Sequence, residues 1–362
     1  MQGLSDVLMG TVIMVMGITA VVTSIPLGIA ADRYGRKRSL VAGGTLLGLS
    51  IVAFAFTTDS TALLLLAAMT GTSQSAFSAA GNALLAEKSG DAKRTLAFSL
   101  SSFVSTAGMG LGSFILPVTS ILEVLGFSDK AAHEMLYAVV GVLCFVSLPL
   151  IRKVSESVST RGSREAKSIL PRKSMGVLAR YTLANSIIAF GAGMVVPLMT
   201  RWLYLRFGTP DTVSGPILGI SNFLVAAAIL MVPTLARRFG VVKAIVLTQG
   251  ISTLFMFLTP FSPDYLVAST VYIVRTFLMN MANPLQQSLI MGLVAKDERG
   301  AASGISAALW RLPNSISARI GAGLMGAGML AEPFYLATIL YVVSITIFWF
   351  AFGKMRLPDE MI

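Results

Sequence analysis

Apolar residues occur along this chain in long runs that short polar segments separate. Eleven of these runs are long enough to cross a hydrocarbon layer, which takes about 20 residues of α-helix. They lie at 7–30, 39–57, 61–86, 95–119, 131–151, 176–203, 212–236, 241–260, 264–294, 301–328 and 333–353. Several runs exceed that length, so we expect tilted helices or helices that extend beyond the membrane. The pattern predicts an all-α integral membrane protein.

The composition agrees with this prediction and narrows the possible functions. Hydrophobic residues make up 55% of the 362 residues and charged residues only 12%, which is atypical of a soluble protein. The lone Cys144 and the lone His133 exclude a disulfide bond and a histidine–cysteine metal cluster. We find no nucleophile–base pair and no phosphate-binding loop. We therefore expect no enzymatic activity, no cofactor and no metal.

The lysines and arginines orient the predicted helices. Of the 28 basic residues, 22 fall in alternate loops and in the C-terminal tail, whereas the opposite loops are mainly acidic. An excess of lysine and arginine marks cytoplasmic loops. We therefore expect a multi-pass protein of the plasma membrane with a cytoplasmic C-terminus. Because the positive charge is spread over short loops, it does not indicate a nucleic-acid partner.

A charged turn from Gly28 to Arg38 separates the first two apolar runs. Hydrocarbon cannot hold this cluster of charges, so the turn must lie at a membrane face. Glycines allow a close approach of helices and a sharp turn, which we expect at Gly28 and Gly35. The spacing resembles the signature loop between the second and third helices of major facilitator superfamily transporters. Every slot of that signature is filled, by Gly28, Asp32, Arg33, Gly35, Arg36 and Lys37. The alternative is a basic hairpin that serves topology alone.

The resemblance implies a fold of two pseudo-symmetric helical bundles and a secondary transporter that works by alternating access. It also implies that Glu87 pairs with Arg36, and that Asp32 meets the segment 300–304, so that the cytoplasmic side is latched. The implied partners are a small-molecule substrate and the lipid bilayer, with protons as a candidate coupling ion. We expect a monomer.

The two halves repeat at an offset of 205 residues. Gly35 falls on Gly240 and Arg38 on Lys243, while Arg94 falls on Arg299. The second copy is degenerate, because Arg237 stands at the position of Asp32. Two separate landmarks with one offset indicate duplication. We expect an N-terminal bundle at 1–151, a cytoplasmic linker at 152–175, a C-terminal bundle at 176–354 and a cytoplasmic tail at 355–362.

The same offset predicts a gap at the start of the chain. The run 176–203 would fall before Met1 in the first half, so the counterpart of the family's first helix is expected to be absent from this sequence. Either a late start or truncation of the sequence, or a protein with eleven helices, would explain the gap.

Polar residues inside the predicted membrane segments are candidates for a substrate cavity. Arg275 and Arg311 each lie near the middle of a run, where a cation costs about 2.5–3.5 kcal/mol unless it faces water or a partner. Helical spacing puts Asn283 and Gln286 on the face of Arg275, and Asn314 on the stripe of Arg311. Gln74 and Asn185 are weaker candidates. These groups either line an anion-attracting cavity or hydrogen-bond between helices.

Three functions follow from these residues and the resemblance. The arginines favour a secondary transporter for an anionic solute. The run Phe277–Ala282, which contains two methionines, suggests a multidrug exporter, although packing alone also explains it. The third possibility is a truncated protein that does not transport.

Overall fold

The computed structural model describes residues 5–153, 173–295 and 298–354. Those residues form α-helices and two short 3₁₀ segments, and no β-strand occurs among them. The helices are α1 (Asp6–Tyr34), α2 (Arg36–Ala55), α3 (Ser60–Ser113), α4 (Val118–Val124), α5 (Asp129–Lys153), α6 (Met175–Val195), α7 (Met199–Phe207), α8 (Asp211–Phe239), α9 (Val241–Leu258), α10 (Tyr265–Leu293), α11 (Arg299–Gly326) and α12 (Glu332–Phe352). Most of the predicted linker and all of the predicted tail 355–362 lie outside the described residues.

The chain divides into two compact units. The first comprises Met1–Ser105 and Ile115–Arg164, and the second comprises Thr106–Phe114 and Glu165–Ile362. Within the second unit, Gly110 packs against α8, where a Cβ atom at Gly110 would lie 2.9 Å from the ring of Phe223.

Eight helical segments of the described residues are long and apolar enough to cross a membrane. The predicted run 212–236 lies within α8. The predicted runs 61–86 and 301–328 are helical as well, but they are not among those eight. Both contain cavity candidates, namely Gln74 in the first and Arg311 in the second. Polar side chains lower the mean hydropathy of a helix, and helices that face protein or water tolerate them.

The predicted break between runs 61–86 and 95–119 is absent from the backbone. Helix α3 continues from Ser60 to Ser113 and includes the charged segment 87–94, which the hydropathy pattern assigns to a loop. Glutamate, lysine, arginine and alanine are all strong helix formers, so a charged segment outside hydrocarbon remains helical. Hydropathy reports burial in lipid and does not report the end of a helix.

The predicted run 176–203 is interrupted. Val196–Leu198 forms a 3₁₀ turn between α6 and α7, and it contains Pro197. Proline lacks the N–H group that would continue the α-helical hydrogen bonds, so a tighter turn replaces them here.

The internal repeat has a structural counterpart at its two glycines. Gly35 has φ 106° and ψ 133°, and Gly240 has φ 78° and ψ 155°. The amide of Gly35 donates to the carbonyl of Ala31 at 3.0 Å, and the amide of Gly240 donates to that of Ala236 at 2.8 Å. Each glycine carbonyl in turn accepts from the residue four positions later, at 3.1 and 3.0 Å. The two hydrogen bonds at Gly35 thus match the two at Gly240, donor for donor and acceptor for acceptor, at the offset of 205 residues.

Helix α6 lies at the centre of the second unit. Its residues pack against α11 and α12, and 61% of the apolar window in Met175–Phe207 is buried. Small residues make this packing possible. A Cβ atom at Gly193 would overlap the Asn314 carbonyl oxygen, and one at Gly321 would overlap the Met194 carbonyl oxygen. Close backbone contact of this kind is typical of helix pairs in membranes.

Candidate functional site

The signature hairpin lies between α1 and α2 in the first unit. Gly35 ends one helix and begins the next in a conformation with positive φ, which L-residues rarely adopt. The predicted sharp turn is therefore present. At Gly28, a Cβ atom would meet no atom of the described residues within 4 Å, so they show no close helix approach at this position.

Arg36 reaches across the hairpin to α3. Its guanidinium donates a hydrogen bond to the carbonyl of Ala83 at 3.2 Å. Ala31 and Leu40 of the hairpin form a small buried cluster with Leu84 of α3. Glu87 lies one turn after Ala83, but the side chains of Glu87 and Asp32 lie outside the described residues. Their predicted contacts, with Arg36 and with the segment 300–304, therefore stay predictions.

The remaining cations of the hairpin point in different directions. Arg33 is exposed, and its Cζ lies 5.6 Å from the ring centroid of Tyr34. Lys37 is half-buried and lines a cavity together with Arg38 and Arg152. The motif thus separates into an arginine that bonds to α3 and a group of cations at the surface.

Two helices of the second unit bring three of the predicted cavity residues together. The Ser186 hydroxyl donates to the Leu309 carbonyl at 2.9 Å, and the Asn314 amide donates to the Ala189 carbonyl at 3.1 Å. Gly193 then meets Ser317. Because residue numbers rise together along both helices, α6 and α11 run parallel.

This register sets Asn185 and Arg311 within about one helical turn of each other in depth. Asn185 precedes Ser186 by one residue, and Arg311 follows Leu309 by two. Arg311 is exposed, and Asn185 and Asn314 are half-buried. The Asn185 side chain also contacts the hydroxyl of Tyr181, one turn earlier. At about 1.5 Å per residue, Arg311 lies about 18 Å from the start of α11, near mid-membrane. A charged group and two amides therefore lie within about two helical turns of one another on the α6–α11 pair, and we call this section the α6–α11 level.

Arg275 lies elsewhere in the second unit and is only 3% exposed. Its guanidinium donates a hydrogen bond to the Tyr341 hydroxyl of α12. Its Cζ lies 5.4 Å from the ring centroid of Tyr341 and 5.8 Å from that of Tyr272. The Ser252 hydroxyl of α9 donates to the Arg275 carbonyl at 2.8 Å. These contacts tie α10 to α9 and α12, which is the structural alternative considered for this residue.

The other residues of the α10 stripe do not share one environment. Gln286 is buried, whereas Asn283 is exposed and donates to the Asn280 side chain at 2.9 Å. Met279 and Met281 are buried, and Met281 belongs to the main apolar core of the second unit. The packing explanation for the methionines therefore holds. The predicted convergence of the α10 and α11 stripes is not seen for Arg275 and Arg311.

Gln74 lies on α3 in the first unit and is half-buried. Around it, polar side chains form hydrogen bonds within α3 and to α2. The Thr70 hydroxyl donates to the Ser50 hydroxyl of α2 at 3.0 Å, and the Ser73 hydroxyl donates to the Met69 carbonyl at 2.7 Å. Gln74 stays a candidate on α3, apart from the level that α6 and α11 share.

Glu298 is a site residue that the hydropathy pattern did not indicate. Its two carboxylate oxygens accept hydrogen bonds from the backbone amides of Lys173 and Ser174, both at 2.9 Å. The Ser174 hydroxyl accepts from the amide of Ala295 at 3.0 Å. The start of α6 is thus joined to the α10–α11 connection. In the sequence, Glu298 is a carboxylate just before the predicted run 301–328. Carboxylates are common in such loops, so the sequence does not single it out.

Among the described residues, no group of three or more histidine, cysteine, aspartate or glutamate side chains is arranged to hold a metal ion. The candidate site consists of the guanidinium of Arg311 and the amides of Asn185 and Asn314 on neighbouring helices. Such groups are chemically suited to an anion, because a guanidinium offers several N–H donors and a fixed positive charge.

Comparison with known proteins gives concordant matches. The sequence model of the Major Facilitator Superfamily matches residues 2–318. Multidrug resistance protein 1 of Bacillus subtilis (strain 168) is 25% identical over 362 residues, which cover 98% of this chain and 90% of that protein. The 3-(3-hydroxy-phenyl)propionate transporter of Escherichia coli (strain K12) is 30% identical over 180 residues, covering 49% of this chain and 42% of that protein.

A similar fold occurs among solved structures. The inward-facing, unoccupied structure of a bacterial homologue of the human lysosomal transporter Spinster superposes with a TM-score of 0.79 at 12% identity. The superposition covers 98% of this chain and 92% of that chain. At this identity the likeness concerns the fold.

Proposed function

The chain belongs to the Major Facilitator Superfamily, a family of multi-pass membrane transporters, and we propose that it carries a small anionic solute by alternating access. Its general function is secondary transport, and the anionic substrate class is the proposed part. The exposed Arg311 near mid-membrane carries this proposal. A guanidinium at that depth is costly in lipid, so it faces water or a polar partner, and a bound anion is one such partner.

The neighbours of Arg311 support an anion with further polar groups. Asn185 and Asn314 lie within about one helical turn of Arg311 along the parallel helices α6 and α11, and they offer neutral donors and acceptors. A carboxylate is the group that a guanidinium binds best, because two parallel N–H···O bonds form. Arg275 is assigned a structural role instead, since it is buried against two tyrosines.

One relative supports the same class of substrate. The Escherichia coli transporter that is 30% identical over half of this chain is named for 3-(3-hydroxy-phenyl)propionate, and propionates are carboxylates. We propose that this chain takes a carboxylate-bearing solute of similar size.

Uptake into proteoliposomes tests the proposal. The panel consists of 3-(3-hydroxyphenyl)propionate, a neutral sugar and a lipophilic cation. We expect uptake of the carboxylate, which an imposed proton gradient increases if protons are the coupling ion. Arg311→Gln should lower carboxylate uptake at subsaturating substrate by about 10- to 100-fold, the range expected when a charged hydrogen-bond partner is removed. Arg206→Gln, on an exposed arginine at the end of α7, is the matched control.

Two results would contradict the anionic class. One is transport of the cation alone. The other is carboxylate uptake by Arg311→Gln at the rate of the control. Multidrug export is the second candidate, favoured by the full-length relative in Bacillus subtilis. It would appear as energy-dependent extrusion of the lipophilic cation without carboxylate uptake.

A further inference from the structure

A basic pocket of about 490 Å³ lies in the first unit, where α2 begins and α5 ends. Its lining consists of Lys37, Arg38, Val41, Ala42 and Arg152. Three of these five residues are cations, and they come from two helices that are far apart in the chain. We refer to this set as the basic pocket.

The depth of the basic pocket matches the polar surface of a bilayer. Helix α2 starts at Arg36 and α5 ends at Lys153, and both helices are long and apolar enough to span a membrane. Each cation therefore lies at the end of a membrane span. Val41 lies five residues further into α2, about 7 Å deeper, where hydrocarbon begins. The basic pocket thus has a charged rim and an apolar floor.

The charges of the basic pocket favour an anion. Arg38 and Arg152 are exposed, and no carboxylate of the described residues pairs with either of them. Cations brought together at one site repel each other, and an anion between them removes that cost. The first turn of α2 adds the positive end of a helix dipole.

We propose that the basic pocket binds the headgroup phosphate of an anionic phospholipid. Arg38 and Arg152 hold the phosphate, Lys37 adds positive charge beside them, and the first part of the lipid chain lies over Val41 and Ala42. A soluble phosphate would use the cations but not the apolar floor. Clusters of basic residues between membrane helices suit anionic headgroups for this reason. The site is separate from the α6–α11 level and does not depend on the substrate proposed for it.

Native mass spectrometry of the purified full chain tests this proposal. Phosphatidylglycerol and phosphatidylcholine with identical acyl chains are titrated separately, and bound lipid is counted. The pocket variant is Arg38→Gln/Arg152→Gln. The matched control is Arg237→Gln/Arg238→Gln, which removes two exposed cations from the end of α8 and leaves the basic pocket intact.

We expect the pocket variant to bind phosphatidylglycerol roughly 30-fold more weakly, about 2 kcal/mol at about 1 kcal/mol per basic residue. Binding of phosphatidylcholine should not change, and the control should stay within about twofold of the unmodified chain. Arg38→Gln and Arg152→Gln alone should each bind phosphatidylglycerol about fivefold more weakly. These single variants test the proposal if the double variant folds poorly.

Three outcomes would overturn the proposal. One is unchanged phosphatidylglycerol binding in the pocket variants. Another is an equal loss in the control, which would make total charge the cause. The third is displacement of the lipid by inorganic phosphate at the same concentration.

Discussion

The local backbone determines the role of Gly35, whereas the surroundings in the fold determine the roles of Arg275 and Arg311. Gly35 is required by its backbone, since its φ of 106° lies in a region that side chains rarely occupy. Arg311 and Arg275 have the same side chain but opposite environments, one exposed and one 3% exposed. The sequence predicts both arginines as cavity candidates. It could not separate them, because the partner of Arg275, Tyr341, lies 66 residues away and has no motif of its own.

Gly35→Ala should destabilise the protein by about 1–3 kcal/mol, the cost of holding a side chain in a glycine conformation. The midpoint of thermal unfolding in detergent measures this effect. Gly28→Ala is the control within the same motif, because its Cβ atom would meet open space in a helix and should leave stability unchanged or raise it by up to about 1 kcal/mol. Equal losses in the two variants would mean that the turn geometry is not the cause.

Tyr341→Phe should lower stability by about 1–3 kcal/mol, because a buried N–H of Arg275 then loses its acceptor. Thermal unfolding is again the measurement, with Tyr335→Phe as a control in the same helix. Arg311→Gln should show the reverse behaviour, with changed uptake at nearly unchanged stability. Substrate protection against unfolding that disappears in Tyr341→Phe but persists in Arg311→Gln would reverse these two assignments.

Helices are the scale at which hydropathy predicts this fold best. Each of the eleven predicted runs is largely helical in the structure, because burial in lipid requires every backbone group to bond within its own segment. A turn at 114–117, between α3 and α4, interrupts the predicted run 95–119. The exceptions are the connections. The segment 87–94 remains helical, and Pro197 interrupts a predicted helix. Helix ends depend on caps and on local hydrogen bonds such as those of Glu298, which mean hydropathy does not report.

Glu298→Ala should loosen the junction between the start of α6 and the α10–α11 connection. Two backbone amides lose a charged acceptor, and each such bond contributes about 1.5–3 kcal/mol. Hydrogen exchange at the amides of Lys173 and Ser174 should accelerate at least tenfold. Glu332→Ala is the control, since that carboxylate accepts from the backbone of its own neighbour, Ala331. Unchanged exchange at both amides would show that the carboxylate does not hold this junction.

Gly193→Ala should separate α6 from α11. The added Cβ atom would overlap the Asn314 carbonyl and the Ser317 hydroxyl, and overpacking of this kind costs about 1–3 kcal/mol. Stability and carboxylate uptake should both fall, because Asn314 is displaced. Gly323→Ala adds the same atom to α11 where nothing lies within 4 Å, so it should behave like the unmodified chain. Wild-type behaviour of Gly193→Ala would contradict this close packing.

The molecule as a whole follows from two patterns that extend over its full length. Alternation of basic and acidic loops predicts the orientation, and the offset of 205 predicts two related halves. The turns at Gly35 and Gly240 support the second pattern with matching hydrogen bonds. The side chains of Asp32 and Glu87 lie outside the described residues, so their contacts stay predictions.

Reporter fusions test the orientation. A green fluorescent protein fused after Ile362 should fluoresce, and alkaline phosphatase at the same position should be inactive, because the C-terminus is expected in the cytoplasm. Alkaline phosphatase inserted between Phe127 and Ser128, in a loop of the opposite side, should be active. The reverse pattern of activities would invert the topology.

The paired glycine turns have a consequence for how the two halves diverged. The same backbone geometry is kept at Gly35 and Gly240 although Asp32 in one half corresponds to Arg237 in the other. Main-chain hydrogen bonds form this turn, and its backbone geometry does not depend on the charge of the residue three positions before the glycine. Each hairpin therefore tolerates a change of charge beside the turn without a change in its backbone. The substitution Arg237→Asp should then change the local charge and leave the backbone of the Gly240 turn unchanged.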